Sequence, residues 1–274
     1  MHLAEKVQTK DARMKTTLFC FSGTGNSYYV AQTLATQLGD ATVRMIPSLF
    51  TGEEIEMTEQ VGFVFPTYKG FPPTLVKEFI LKVFAKQDLS PIKYLFLINT
   101  RYKFPGYCMV AMHAMLREAG CLYSYANHVV MPDGYVPLLP VPSEKTMDTL
   151  YAKADEKLRT IAEDIRTEQF RLIPKVPFTR IAITHIMPVV HLASKDFAQQ
   201  FSVLDSCISC TLCYRMCPSN NITMQEGKPV FSNNCTGCLG CYHRCPVQAI
   251  TLQKKVHEGR YLNKRSGYST EYWK

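Results

Sequence analysis

The chain has 274 residues, 46% hydrophobic and 20% charged, the balance of a folded globular protein with room for two domains. Its formal charge of +8 is spread over scattered Lys and Arg rather than gathered into a stripe, which argues against nucleic acid as a partner. No apolar run reaches the roughly 18–20 residues of a membrane span, and Lys6, Lys10, Asp11, Arg13 and Lys15 break any secretory pattern, so a cytoplasmic protein is expected.

Residues 1–13 read as a loose extension ahead of Met14, a second candidate start. From there to residue 167, short apolar runs alternate with helical patterns. Lys15–Phe21 predicts a strand, Tyr28–Leu38 a helix, and Ala41–Ile46 and Gln60–Phe65 two strands. Pro73–Phe84 predicts a helix, Lys93–Asn99 a strand, Tyr107–Glu118 a helix and Cys121–Met131 a fifth strand. The polar connection Pro47–Glu59 is a poor helix. Ser143 is placed to cap a long helix with Leu150, Ala154, Leu158, Ile161 and Ile165 on one face. Such alternation predicts an α/β domain over 14–167 with a parallel sheet covered on both faces. Residues 168–200 form a junction, with weak helical patterns at Phe178–Leu192 and Lys195–Phe201 too apolar for a floppy tether. A cysteine-rich domain spans 201–254, and 255–274 reads as a basic, solvated tail.

The first strand runs into Ser22-Gly23-Thr24-Gly25-Asn26-Ser27, which opens the first helix. Backbone N–H groups at a helix start, with hydroxyl and amide donors beside them, suit a phosphate. A nucleotide P-loop needs a Lys that is missing here. A dinucleotide fingerprint needs a third small residue where Tyr28 stands. A loop without a cation suits a terminal monoester phosphate such as that of FMN, bound at the carboxyl ends of a sheet ordered 2-1-3-4-5.

Eight of the eleven cysteines fall between Cys207 and Cys245. Cys207, Cys210, Cys213, Cys217, Pro218 and Ile222 recur at Cys235, Cys238, Cys241, Cys245, Pro246 and Ile250, always 28 residues on. Such a repeat implies two pseudo-symmetric units. Structural zinc would use two separated ligand pairs. Three Cys within seven residues, a fourth close behind and a proline after it form the bacterial iron–sulfur run C-x2-C-x2-C-x3-C-P. In two-cluster bacterial ferredoxins the fourth Cys ligates the other cluster. By that likeness, Cys207, Cys210, Cys213 and Cys245 hold one [4Fe–4S] cluster, and Cys235, Cys238, Cys241 and Cys217 the second. Ile208, Leu212, Ile222, Leu239, Tyr242 and Ile250 are expected to exclude water around them. Cys20, Cys108 and Cys121, in a strand, a helix and at a strand start, read as small buried hydrophobes.

The glycine loop resembles the flavodoxin phosphate loop, and two later segments look like the flavodoxin loops that enclose the flavin ring. The first is Pro66-Thr67-Tyr68-Lys69-Gly70, with Tyr68 as the stacked ring. The second is Asn99-Thr100-Arg101-Tyr102, with Tyr102 a second aromatic and with Arg101 and Lys103 where flavodoxins often have glycine. From Met14 onward the chain resembles the EFR-type ferredoxins, in which a flavodoxin-like domain is fused to a two-[4Fe–4S] ferredoxin domain. Met131-Pro132-Asp133-Gly134-Tyr135-Val136-Pro137 and Gly259-Arg260-Tyr261 belong to the likeness. That resemblance implies a five-stranded flavodoxin-like sheet of order 2-1-3-4-5, a small α+β ferredoxin domain, FMN, two [4Fe–4S] clusters and electron transfer with redox partner proteins, mostly in anaerobes. The alternative is a self-contained FMN-dependent reductase of a small substrate. With about −2 on each cubane and on the FMN phosphate, the loaded protein carries about +2.

Overall fold

The computed structural model describes residues 14–173, 176–253 and 257–268. The expected extension 1–13 and the parts of the basic tail within 254–256 and 269–274 lie outside the described residues.

Five strands form the main sheet: β1 (Thr16–Cys20), β2 (Ala41–Met45), β3 (Gln60–Pro66), β4 (Tyr94–Arg101) and β5 (Tyr125–Val130). They are all parallel, as the alternating pattern predicts, in the order β2-β1-β3-β4-β5 that the flavodoxin resemblance implies. Helices α1 (Asn26–Leu38) and α4 (Glu144–Arg166) cover one face; α2 (Thr74–Lys82) and α3 (Cys108–Glu118) cover the other. Alternation along β1 divides its side chains between two cores: Leu18 and Cys20 pack with Leu34, Leu158 and Ile161, while Phe19 and Phe21 pack with Phe63, Phe79 and Phe84. Cys20 and Cys108 are fully buried, one in each core, and burial pushes the Cys108 thiol up to about 12.

Several boundaries differ from the sequence pattern. Ile46 leaves β2 to start a single 3-10 turn, Ile46–Leu49, and no helix comes between it and β3. β5 begins at Tyr125, so Cys121 sits in the preceding loop rather than at a strand start. Ser143 does cap α4, its side chain accepting from the Thr146 N–H, but Tyr151 rather than Leu150 joins the buried face.

The junction is one helical rod: α5 (Thr179–Ile181), a π-turn (Ala182–Ile186) and α6 (Met187–Lys195). Pro188 has no N–H to return to the preceding turn, and the wider π ladder lies directly before it. A 3-10 turn, Asp196–Gln200, comes next, and Phe201 opens strand β6 (Phe201–Val203) instead of ending a helix.

The cysteine domain adds α7 (Leu212–Arg215), β7 (Ile222–Gln225), β8 (Lys228–Phe231), α8 (Gly240–Arg244) and β9 (Ile250–Leu252), with antiparallel pairs β6–β9 and β7–β8. The sequence repeat is also a backbone repeat. Left-handed residues Ser209, Thr211 and Asn220 recur at Gly237, Leu239 and Gln248. The Asn221 N–H donates to Cys217 Sγ and the Ala249 N–H to Cys245 Sγ, both at 3.2 Å.

The centre of the sheet contains one residue that nothing larger can replace. Gly62 pairs with Leu18 on one side and Phe96 on the other. A Cβ there would overlap the Phe96 ring and lie 2.7 Å from Leu18 Cδ2. Gly62→Ala is expected to destabilise the chain by about 1–3 kcal/mol through overpacking, read as a lower denaturation midpoint.

Candidate functional site

Parallel strands deliver the loops at their carboxyl ends to one edge of the sheet. Here the loops after β1, β3, β4 and β5 line a single cavity, which the cysteine domain closes from the far side with Thr236, Gly237, Cys238 and Leu239. Ser22, Gly23, Thr24, Asn26, Ser27, Pro66, Thr67, Tyr68, Lys69, Gly70, Thr100, Arg101 and Tyr102 all line it. Gly25 and Asn99 do not. Gly25, at φ 98, packs its backbone against Ser266 and Asn263. Asn99 is buried behind the wall, where Nδ2 donates to Thr67 Oγ1 at 2.5 Å and holds that loop to β4.

The glycine loop is folded to carry donors inward. The Gly25 N–H donates to Ser22 Oγ at 3.1 Å, and the hydroxyls of Ser27 and Thr100 are 2.7 Å apart. Gly23 is in close quarters: a Cβ on it would fall 2.5 Å from the Tyr68 hydroxyl and 2.7 Å from the Cys238 carbonyl oxygen. Backbone alone fits between them. Neutral donors, a cradle without side chains and no cation in the loop fit the phosphate end of FMN.

In the second loop, Tyr68 and Phe71 exchange backbone hydrogen bonds of 2.8 and 2.9 Å across Lys69 and Gly70, both at positive φ. This is the geometry of a type I′ turn. It fixes Tyr68 edge-on to Phe21, with centroids 6.2 Å apart, and lays Lys69 Nζ over the Phe197 ring at 5.3 Å. In the third loop, Arg101 donates to the carbonyls of Tyr102 and Lys103 at 3.0 Å and to His128 Nε2 at 2.7 Å. Its charge ties the loop to β5. Lys103 Nζ rests over the Tyr102 ring at 5.4 Å.

The segment expected to be a solvated tail instead clamps the glycine loop. Tyr261 and Asn263 are 2% and 3% exposed. The Tyr261 hydroxyl donates to Asn26 Oδ1 at 2.5 Å, the Asn263 N–H to the Thr24 carbonyl at 2.9 Å, and the Tyr268 hydroxyl to the Ser22 carbonyl at 2.8 Å. Arg244, at the end of α8, donates to the Gly23 carbonyl at 2.6 Å and lies over the Tyr268 ring at 4.8 Å. Asn26, expected as a ligand donor, is thus also a fastening point; its amide donates to the Pro132 carbonyl at 2.8 Å. These partners lie more than a hundred residues from the loop, beyond any local pattern. In the sequence, Pro132 and Tyr261 are marked by the family likeness of their segments, and the other partners are not.

The eight clustered cysteines fall into two groups of four. Cys207, Cys210, Cys213 and Cys245 line one small cavity. Cys217, Cys235, Cys238 and Cys241 line another. The grouping is the crossed one, with each fourth cysteine of a run joining the other run. Among the described residues no three His, Cys, Asp or Glu side chains converge on a position for one metal ion. Burial raises the Cys235 thiol to about 12, and the Cys213 and Cys238 thiols to about 11, so loading such a site releases protons. Ile222, Leu239 and Ile250 are buried in the walls of these cavities as expected; Tyr242 is buried but lines neither, Leu212 is half-buried in the first, and Ile208 is 60% exposed.

Residues 206–249 match the family model of the 4Fe-4S dicluster domain. No curated protein matches the chain. Among solved structures, the chain is similar to the flavodoxin of Fusobacterium nucleatum bound to flavin mononucleotide, at 14% identity and a TM-score of 0.39, over 58% of this chain and 99% of that one. It is also similar to the WrbA-like flavodoxin of Agrobacterium tumefaciens, at 17% identity and a TM-score of 0.35, over 56% and 98%. A third similar structure is the rubredoxin oxygen:oxidoreductase of the anaerobe Desulfovibrio gigas, at 16% identity and a TM-score of 0.38. That match covers 56% of this chain and 36% of the oxidoreductase.

Proposed function

We propose that the chain is an electron-transfer protein of the EFR type, exchanging electrons between FMN and two [4Fe–4S] clusters and with partner oxidoreductases. The observation that carries this reading is the shared wall. Cys238 belongs to one four-cysteine group and also lines the loop cavity, against Gly23. Two redox sites built separately would have no reason to meet at a backbone contact that admits only glycine.

When bound, FMN supplies two-electron and one-electron redox chemistry and the clusters one-electron chemistry. The residues of the chain bind and orient these groups. Backbone and hydroxyl groups of Ser22–Ser27 would hold the FMN phosphate. Pro66–Gly70 and Thr100–Tyr102 would flank its ring system, with Tyr68 against the inner side. Cys207, Cys210, Cys213 and Cys245 would hold one cluster, and Cys217, Cys235, Cys238 and Cys241 the other. Lys69 and Arg244 set positive charge beside the second group, Lys69 facing Cys235 and Arg244 facing Cys238. Fixed cations near a thiolate-ligated cluster favour its reduced, more negative state. The charged side chains on the cavity wall are engaged within the protein rather than assembled as an acid–base pair: Arg101 with backbone carbonyls and His128, Lys103 over Tyr102, Lys69 over Phe197, and Asp133 accepting from the Tyr135 N–H at 2.8 Å. That favours a carrier over a reductase with its own substrate.

Anaerobic purification followed by iron, sulfide and flavin analysis is expected to return about eight iron, about eight sulfide and about one FMN per chain. Zinc in place of iron, or a protein that neither retains nor binds FMN, would overturn the corresponding half of the reading. Cys217→Ala should remove the signal of the cluster shared with Cys235, Cys238 and Cys241; damage confined to the other cluster would reject the crossed ligation.

The tail contacts generate a separate expectation. Arg244→Gln and Tyr268→Phe remove donors from the Gly23 and Ser22 carbonyls while the cysteine runs stay intact. Each lost hydrogen bond of this kind is worth about 1 kcal/mol, more where the donor is charged. Fluorescence titration with FMN should therefore show weaker binding by about fivefold for Tyr268→Phe and by more for Arg244→Gln. Unchanged affinity in both would mean that the loop holds its shape without the clamp.

A further inference from the structure

The helical rod at 179–195 has one face accounted for and one that is not. Its inner face packs on the flavodoxin-like domain: Ala182 and Met187 join Phe71 and Ala111 in a small core, and His191 Nε2 donates to the Pro72 carbonyl at 2.9 Å. A helix docked on one side ordinarily turns polar residues to water on the other. Here the outer side carries Phe178 at 73% exposure, Ile181 at 53%, Ile186 at 45%, Val189 at 66% and Leu192 at 62%. Phe170 and Leu172, just upstream, are 79% and 64% exposed. Scattered exposed hydrophobes are ordinary on a protein surface; a run along one helix marks an interaction face.

Along the rod itself the charge is of one sign. Residues 176–195 contain no Asp or Glu, while Arg180 and Lys195 fall within them. Beside Pro188 and Leu192 opens a cleft lined also by Lys77, Lys82 and Lys195. Its one lining carboxylate among the described residues, Glu78, is already shared between Lys82 at 3.6 Å and Lys195 at 4.0 Å. Protein–protein interfaces are depleted in Lys relative to the rest of the surface, whereas three Lys line this cleft. Large apolar side chains bordered by Lys and Arg in excess are the pattern of a helix lying in a membrane interface, its apolar side among acyl chains and its cations at anionic headgroups. No helix among the described residues is long and apolar enough to cross a bilayer.

We propose that the outer face of the 179–195 rod binds the surface of an anionic membrane, lying on it without spanning it. This does not rest on the redox reading. It does, however, place that chemistry close to lipid, because the rod also touches the redox sites: Ser194 lines the loop cavity, and the Lys195 carbonyl accepts from the Cys235 N–H at 3.2 Å.

The test is sedimentation of the full-length, anaerobically purified chain with vesicles of phosphatidylcholine alone or with about a third phosphatidylglycerol. The wild type is expected to bind the anionic vesicles, and to bind them less as salt is raised. Val189→Glu/Leu192→Glu should lower the partition coefficient at least about tenfold, and Lys77→Gln and Arg180→Gln about fivefold each. All four positions are away from the buried core, so unchanged circular dichroism and thermal unfolding are the control. A second control pair, Phe178→Ser and Val189→Ser, removes apolar area without adding charge and should weaken binding in the same direction. No binding to anionic vesicles, or equal binding by wild type and the glutamate variant, would overturn the proposal. So would concentration-dependent dimerisation that the glutamate variant abolishes without any vesicle binding, since that would assign the face to a second copy.

Discussion

The carbonyl groups of Ser22, Gly23 and Thr24 all accept hydrogen bonds from residues 244–268, none of whose donors lines the cavity. In a tight loop the direction of a carbonyl dictates the direction of the next N–H. The fastened Ser22 and Gly23 carbonyls therefore set the direction of the Gly23 and Thr24 N–H groups before any ligand arrives, while the Gly25 N–H, after the Thr24 carbonyl, is taken by Ser22 Oγ. An isolated loop of glycine and small hydroxyl residues would have to lose that conformational freedom on binding, at a cost of about 1–2 kcal/mol per residue. Here packing between the two parts of the chain bears it. The loop is thus built by the flavodoxin-like domain and ordered by the C-terminal segment 244–268.

The same packing brings two kinds of chemistry to one boundary. Gly23 fits between the Tyr68 hydroxyl and the Cys238 carbonyl only because it has no side chain. Around that contact the positive charges are held by specific partners: Arg244 by the Gly23 carbonyl and the Tyr268 ring, Lys69 by the Phe197 ring. Burial lowers the pKa of both, while the neighbouring thiol groups raise it. A cation in such a place is best stabilised when a negative group faces it. Thiolate-bound clusters and a flavin phosphate are groups of that sign.

How much of this is readable from the residues depends on the range of each interaction. The parallel sheet is legible in the alternation of short apolar runs with helices, because parallel strands buried on both faces leave continuous Val, Ile, Leu and Phe runs, whereas the strand order is legible only through the resemblance to flavodoxins. The crossed cysteine grouping is legible in the likeness of each run to the bacterial ferredoxin spacing, where the fourth Cys crosses over. Thirteen of the fifteen loop residues expected around the flavin line one cavity, because they sit at the carboxyl edge of the strands. The exceptions have local causes: Gly25 serves its left-handed backbone, and Asn99 serves Thr67 from behind. The features that escape a local reading are set by contacts across the whole chain. Residues 257–268 read as basic and solvated, yet Tyr261 is buried by Asn26 and Tyr151, more than a hundred residues away. Phe178–Leu192 read as packing surface, but a rod has two sides and the domains fill only one.

The cysteine repeat shows why a duplicated motif need not give duplicated properties. The two runs share spacing, left-handed turns and the N–H bonds to their fourth sulfurs. Intrinsically they are equivalent frames. One set of four, around Cys235, lies against the loop cavity with Lys69 and Arg244 beside it; the other contains Cys210, which is exposed, and borders Ile208 and Val247 at the surface. The potential of a cluster depends on solvent access, nearby charge and hydrogen bonds to sulfur. Of these, only the N–H bond to the fourth sulfur is common to the two halves, and Cys235 Sγ accepts a further one from the Gly237 N–H at 3.3 Å. The difference between the sites therefore originates in where the flavodoxin-like edge docks, and not in the ligands. That docking depends on the same Arg244 and tail contacts that shape the phosphate loop, so one interface orders the loop and makes the two halves of the repeat unequal.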